Sequence, residues 1–211
     1  KLAEETYGKV AQRAEIGPRL RPQEPEQRAV RTVTFADPRV TQPSLQRSYL
    51  VPSAATGKPG ESEALEILSQ ILGSGTNSRF YSKLVIEKPL AISIGAWYQG
   101  TALDWTRFGI YGTPRNEVTL KDLEEAMDAV IQEVADKGVS NEELERAKIK
   151  LISDVVYAQD SQATMARWYG GALTTGLTVD SLKTWPERVQ KVTADNVQAA
   201  AGAQYAVSNL G

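Results

Sequence analysis

Two apolar stripes of helical period, one after the other, constrain this chain more than any other feature. Leu120, Leu123, Met127, Val130 and Val134 recur at intervals of three and four, and Leu144, Ala147, Leu151 and Val155 repeat the pattern after Lys137-Gly138-Val139. Thr119 with Asp122 and Ser140 with Glu143 mark the two starts as capping arrangements, in which a hydroxyl takes one free backbone amide and a carboxylate returns to another. Two amphipathic helices joined by so short a turn are predicted to pack as an antiparallel pair.

The strand signals lie apart from these helices. Ala91–Tyr98 and residues 105–111 are predicted to form a hairpin across Gln99-Gly100-Thr101-Ala102-Leu103-Asp104, with Ile92, Ile94 and Ala96 on one face. Residues 31–35, Arg-Thr-Val-Thr-Phe, alternate and stop at Asp37-Pro38, which predicts a first strand, and Leu45–Val51 before Pro52 predicts a second. Helices are predicted over Glu61–Gly73, with Gly73 in the C′ position, and over 78–87, stopped by Pro89. Three more are predicted at 161–174, 179–189 and 194–201, and residues 206–210 read as a last strand. Strands and helices in separate groups with hairpin connections predict an α+β fold: an antiparallel sheet with helices packed on one face.

Composition narrows the chemistry. The 211 residues carry 24 Lys plus Arg against 26 Asp plus Glu, so no basic field favours nucleic acid. No apolar run approaches the roughly 20 residues needed to span a bilayer. With Cys 0 and His 0 there is no disulfide, no thiolate nucleophile, no imidazole base and no zinc site built on His or Cys. Catalysis by this chain alone falls to Asp, Glu, Lys, Tyr, Ser or Thr, or to an oxygen-ligated metal. The chain starts at Lys1 without a signal-peptide pattern. Residues 1–14, with helical spacing at Leu2, Ala3, Tyr7 and Val10, read as the end of a preceding domain's last helix. Residues 15–29, with Gly17-Pro18, Arg21-Pro22 and Glu24-Pro25, read as a linker, and 30–211 as the C-terminal domain of a longer polypeptide.

Three features invite functional readings, each beside a plainer one. Gly73-Ser74-Gly75-Thr76-Asn77-Ser78 could cradle an anion, but it lacks the Lys of a phosphate loop and follows a helix, so a helix–helix turn is favoured. Glu124-Glu125 and Glu142-Glu143-Glu145 sit at helix starts, where a solvated acidic face is favoured over a metal site. Trp97, Tyr98, Trp105, Trp168 and Tyr169 could line a peptide-binding wall or simply pack. None forms a catalytic constellation.

The strand 31–35, Leu45 through Pro52, and Ala64-Leu65-Glu66-Ile67-Leu68-Ser69-Gln70-Ile71-Leu72-Gly73-Ser74-Gly75-Thr76-Asn77-Ser78-Arg79-Phe80-Tyr81, taken with the hairpin and Asn141 to Lys148, resemble the second half of the pitrilysin/insulinase/mitochondrial processing peptidase superfamily. The resemblance covers about residues 29–200. It implies a processing-peptidase-like half in a pair of α+β halves that close around a chamber, where a zinc-binding half with an HxxEH motif degrades enclosed peptides. No such motif is possible here without His, so the resemblance places no catalytic residue, metal or cofactor in this chain and zinc in the preceding half. The family's substrate-holding Arg and Tyr, seven residues apart, align with Val85 and Ile92, neither of which donates a hydrogen bond. The resemblance therefore implies the inactive half of a zinc-bearing subunit of the bacterial two-subunit type. Its partners are the N-terminal half of the same polypeptide, a second subunit with the Arg/Tyr pair and a peptide substrate, with periplasm or cell envelope as the implied location. The alternatives are a non-enzymatic core or scaffold component, and a peptide-binding module using the sheet edge.

Overall fold

A computed structural model describes residues 1–11, 13–15, 17, 20–22, 25 and 29–208. Its centre is an antiparallel sheet of β1 (Leu45–Val51), β2 (Ala91–Tyr98) and β3 (Thr106–Pro114), in the order β1-β3-β2. Register sets Tyr49 and Tyr98 on either side of Phe108, and Arg47 and Ala96 on either side of Ile110. Tyr49, Phe108 and Ile110 are buried, and the Tyr49 and Phe108 rings meet at 6.4 Å in a tilted arrangement. On this face lies α2 (Glu61–Gly73), which packs on β2 and buries Ile67, Leu68 and Leu72. The other face carries Trp97 above Gly109, with the Arg107 guanidinium 5.7 Å from the Trp97 ring.

Gly73 has a different purpose from the one its position suggests. A Cβ there would sit 1.9 Å from the Ala96 amide nitrogen, so the end of α2 touches the β2 backbone and admits no side chain. The cap is Ser74 in an extended conformation, and Gly73 belongs to the last turn.

After α3 (Arg79–Tyr81) the chain passes directly into a π-helical turn, Ser82–Glu87. The remaining helices are α4 (Leu120–Lys137), α5 (Asn141–Ala158), α6 (Gln162–Thr174), α7 (Val179–Lys183), α8 (Trp185–Lys191) and α9 (Ala194–Ser208). Both predicted capping boxes form, at Thr119–Asp122 and Ser140–Glu143. The predicted α4–α5 pair does not: α4 packs chiefly on α9, while α5 packs on α2 and α8. Helix α9 takes that place and buries Val197 and Ala201 fully in the core. The Gln198 amide also donates to the Ala135 and Asp136 carbonyls, which the end of α4 leaves without helical partners.

Other expectations change as well. Residues 31–35 form no strand; Val33 is 92% and Phe35 80% exposed, so the alternating pattern has neither a partner nor a face to bury. Residues 206–208 continue α9 instead of starting a strand, and 209–210 lie outside the described residues. The helix predicted over 179–189 is two, because Pro186 in the first turn of α8 cannot continue a helix from α7. At the start, α1 (Leu2–Thr6) is five residues long. Residues 12, 16, 18, 19, 23, 24 and 26–28 of the expected first two segments lie outside the described residues. No helix among the described residues is long and apolar enough to cross a membrane.

Candidate functional site

Val85 lies within the π-helical turn, partly buried against the core. Ile92 lies at an irregularity of the β2–β3 ladder: Ala91 faces Pro114 and Ser93 faces Thr113, which leaves Ile92 as the extra residue of a bulge, 50% exposed. A π turn and a β-bulge each insert a residue into a regular ladder and re-aim the side chains there. Both positions singled out in the sequence therefore stand on departures from regular backbone. That coincidence has no signal in apolar periodicity.

The acidic clusters are consumed by ion pairs. Glu124 and Asp128 both accept from Arg47, and Glu142 accepts from Arg146. Glu145 accepts from the buried Lys148 at 2.9 Å. Glu143 takes a bidentate pair from Arg79, at 2.7 Å from Nε and 2.9 Å from Nη2, besides its capping bond to the Ser140 amide. The Arg79 guanidinium, against the opposing effect of burial, holds the Glu143 carboxyl down at about 2. Arg79 also donates to the Gly138 carbonyl, so it ties α3 to the α4–α5 turn. The glycine-rich loop closes on itself, with the Ser78 hydroxyl donating to the Gly75 carbonyl at 2.8 Å.

The aromatic residues divide between places. Trp97 covers Gly109 on the face of the sheet away from α2, and Trp105 is half-exposed in the hairpin loop. Tyr98 points the other way, its hydroxyl donating to the Pro52 carbonyl at 2.7 Å, and burial pushes that phenol up to about 12. Trp168 and Tyr169 line a cavity of about 590 Å³ with Trp185 and Glu66. Trp185 and Glu66 had no distinguishing signal in the sequence. Glu66 Oε2 accepts from Trp185 Nε1 at 2.8 Å, and burial, with Glu63 nearby, pushes the Glu66 carboxyl up to about 7.

Among known families, the model described as the peptidase M16 inactive domain matches residues 1–151 of the 211. The chain belongs to the peptidase M16 inactive-domain family. No curated protein matches the sequence. Among solved structures, a protease from Helicobacter pylori is 20% identical with a TM-score of 0.84, and the match covers 96% of this chain and 48% of that one. This chain thus spans about half the length of that relative. A peptidase M16 inactive domain from Pseudomonas fluorescens is 22% identical, TM-score 0.66, over 76% of this chain and 37% of that one. The periplasmic protease PqqL from Escherichia coli is 16% identical, TM-score 0.57, over 77% of this chain and 18% of that one. These likenesses show a shared fold.

The M16 inactive domain described here does not fit zinc. It has neither His nor Cys, and among the described residues no group of three or more Asp or Glu is placed to hold a metal ion. The carboxylates of its acidic clusters, Glu124, Glu142, Glu143 and Glu145, are instead paired with arginine or lysine.

Proposed function

We propose that this M16 inactive domain is the non-catalytic C-terminal half of a zinc metallopeptidase subunit, forming a wall of a peptide-degrading chamber and docking against the zinc-bearing half. One observation carries this reading. Val85 and Ile92, which the resemblance aligns with the family's substrate-holding Arg and Tyr, lie in a π-helical turn and at a β-bulge, and their apolar side chains can donate no hydrogen bond. A second subunit supplies that pair, and zinc resides in the preceding half. In this reading residues 1–14 end that half, 15–29 link the two, and the face of the sheet that carries Trp97 and Arg107 faces the chamber. The periplasmic Escherichia coli relative supports a periplasmic or envelope location.

The test is reconstitution. The isolated chain is expected to hydrolyse no peptide and to retain no stoichiometric zinc after dialysis, while addition of a zinc-bearing half and an Arg/Tyr-bearing subunit yields hydrolysis. In a chamber whose partner has lost its pair, Val85→Arg with Ile92→Tyr is expected to recover part of the turnover. A tight one-to-one zinc site in the chain alone overturns the proposal. A stable assembly with an upstream half that lacks HxxEH identifies a scaffold instead.

A further inference from the structure

The helical side of the molecule holds a second feature, independent of zinc and of the chamber. The cavity of about 590 Å³ lies between α2, α6, α7, α8 and the β2–β3 loop. That volume falls in the range of small-molecule sites, roughly 300–1,000 Å³. Trp168, Trp185, Met165, Leu177 and Leu182 give it apolar walls, and Glu66 supplies a carboxylate. One oxygen of that carboxylate is held by Trp185. The other, Oε1, accepts no hydrogen bond from the described residues and lies beside Gly100, where a Cβ would stand 3.2 Å from it.

The charges around Glu66 decide what it can receive. Glu63, on the same helix, is committed to Arg188 of α8, with Nε to Oε1 at 2.6 Å. Arg188 spends its remaining reach on the Ser181 carbonyl and the Thr184 hydroxyl, at 2.9 Å and 2.8 Å. Tyr98 of β2 is turned to Pro52 and Ser62. Arg167 of α6 and Lys183 of α7 line the cavity as exposed side chains. The inner cation is thus matched by Glu63, and among the described residues Glu66 has no ion pair of its own. A carboxylate amid aromatic walls suits a cation whose body is apolar, because the ring faces and the carboxylate both attract it while the body displaces water.

We propose that this cavity binds a primary ammonium group on an apolar body, with the ammonium at Glu66 Oε1 and the body against Trp168 and Trp185. Glu66 must be ionised to bind, and burial places its titration at about 7. The ammonium keeps its proton throughout this range, as lysine does to about pH 10. Affinity therefore rises with pH, by about tenfold between pH 6 and 8.

Tryptophan fluorescence titration of the chain with phenethylamine, and with 2-phenylethanol as its uncharged counterpart, tests this. Phenethylamine is expected to bind at least about tenfold more tightly than the alcohol at pH 8 and to lose that advantage at pH 6. Glu66→Gln, which keeps an oxygen for Trp185, is expected to remove the advantage and leave the alcohol unaffected. The pH profile of the unaltered chain tests the proposal without any variant. Nα-acetyl-lysine amide forms a separate arm: binding equal to phenethylamine assigns a lysine side chain as the source, and weaker binding assigns a free amine. Equal affinity for amine and alcohol, a flat pH profile, or no binding of either probe by the folded chain overturns the proposal.

Discussion

Phe35 and Phe108 are the same side chain in opposite surroundings. Phe108, 1% exposed, sits in the central strand between Tyr49 and Tyr98. Phe35, 80% exposed, sits in a segment richer in β-branched residues than β1 yet without a strand partner. The difference teaches that composition prepares a segment for a sheet but does not place it there. Ladder hydrogen bonds and a buried face come together or not at all, since an extended chain alone gains neither.

The largest expected effect follows directly from this pair. Phe108→Ala is expected to cost about 3–5 kcal/mol in urea unfolding, through lost burial and a residual cavity. Phe35→Ala is expected to change stability by less than about 0.5 kcal/mol. A cost for Phe35→Ala near that of Phe108→Ala would break the comparison and show residues 31–35 to be packed in solution.

Within the packed region, polar ties are the next test. Arg79→Met is expected to cost about 2–3 kcal/mol at pH 7, because it removes a bidentate charged pair and a bond to Gly138. Glu143 titrates at about 2 in the fold, below its usual 4.5, so its contribution is present above pH 4.5 and lost as pH falls toward 2. Unfolding curves of the two proteins should converge over that interval.

Burial inside the same region can also oppose folding, at Glu66. Its carboxyl is raised from 4.5 to about 7, so the folded state binds the proton more tightly and stability declines as pH rises through that window. Glu66→Gln is expected to be more stable than the natural chain by on the order of 3 kcal/mol at pH 8 and nearly equal to it at pH 4, read from thermal midpoints.

The smallest effect belongs to Arg21. Arg21 reaches Asp104 of the hairpin loop at 3.2 Å, with both side chains well exposed. Arg21→Ala is expected to cost less than about 0.5 kcal/mol and nothing measurable at high salt.

Most helices were legible because their signals are local. A hydroxyl at 119 or 140 and a carboxylate three residues on are enough to close a capping box. The hairpin was legible for the same reason, its strands being separated by one loop. Residues 31–35 and 206–208 were misread because their apolar alternation has no local arbiter: one segment finds no partner, and the other continues a helix already under way. Val85 and Ile92 were reached through the resemblance alone. The π turn and bulge that set them apart arise from how the chain between Ser82 and Ser93 meets its neighbours.

The sequence by itself determined what this chain cannot do and where most of its helices start. Without His or Cys no arrangement of the backbone yields a zinc site built on imidazole or thiolate, since the donor atoms are absent. Tertiary structure alone decided that α4 meets α9, because several apolar stripes compete for each face and the better fit excludes the others. It also decided the proton affinity of Glu66, whose partner Trp185 lies 119 residues away. The desolvation that raises a carboxyl depends on which distant side chains close around it, and a sequence lists those side chains without their distances.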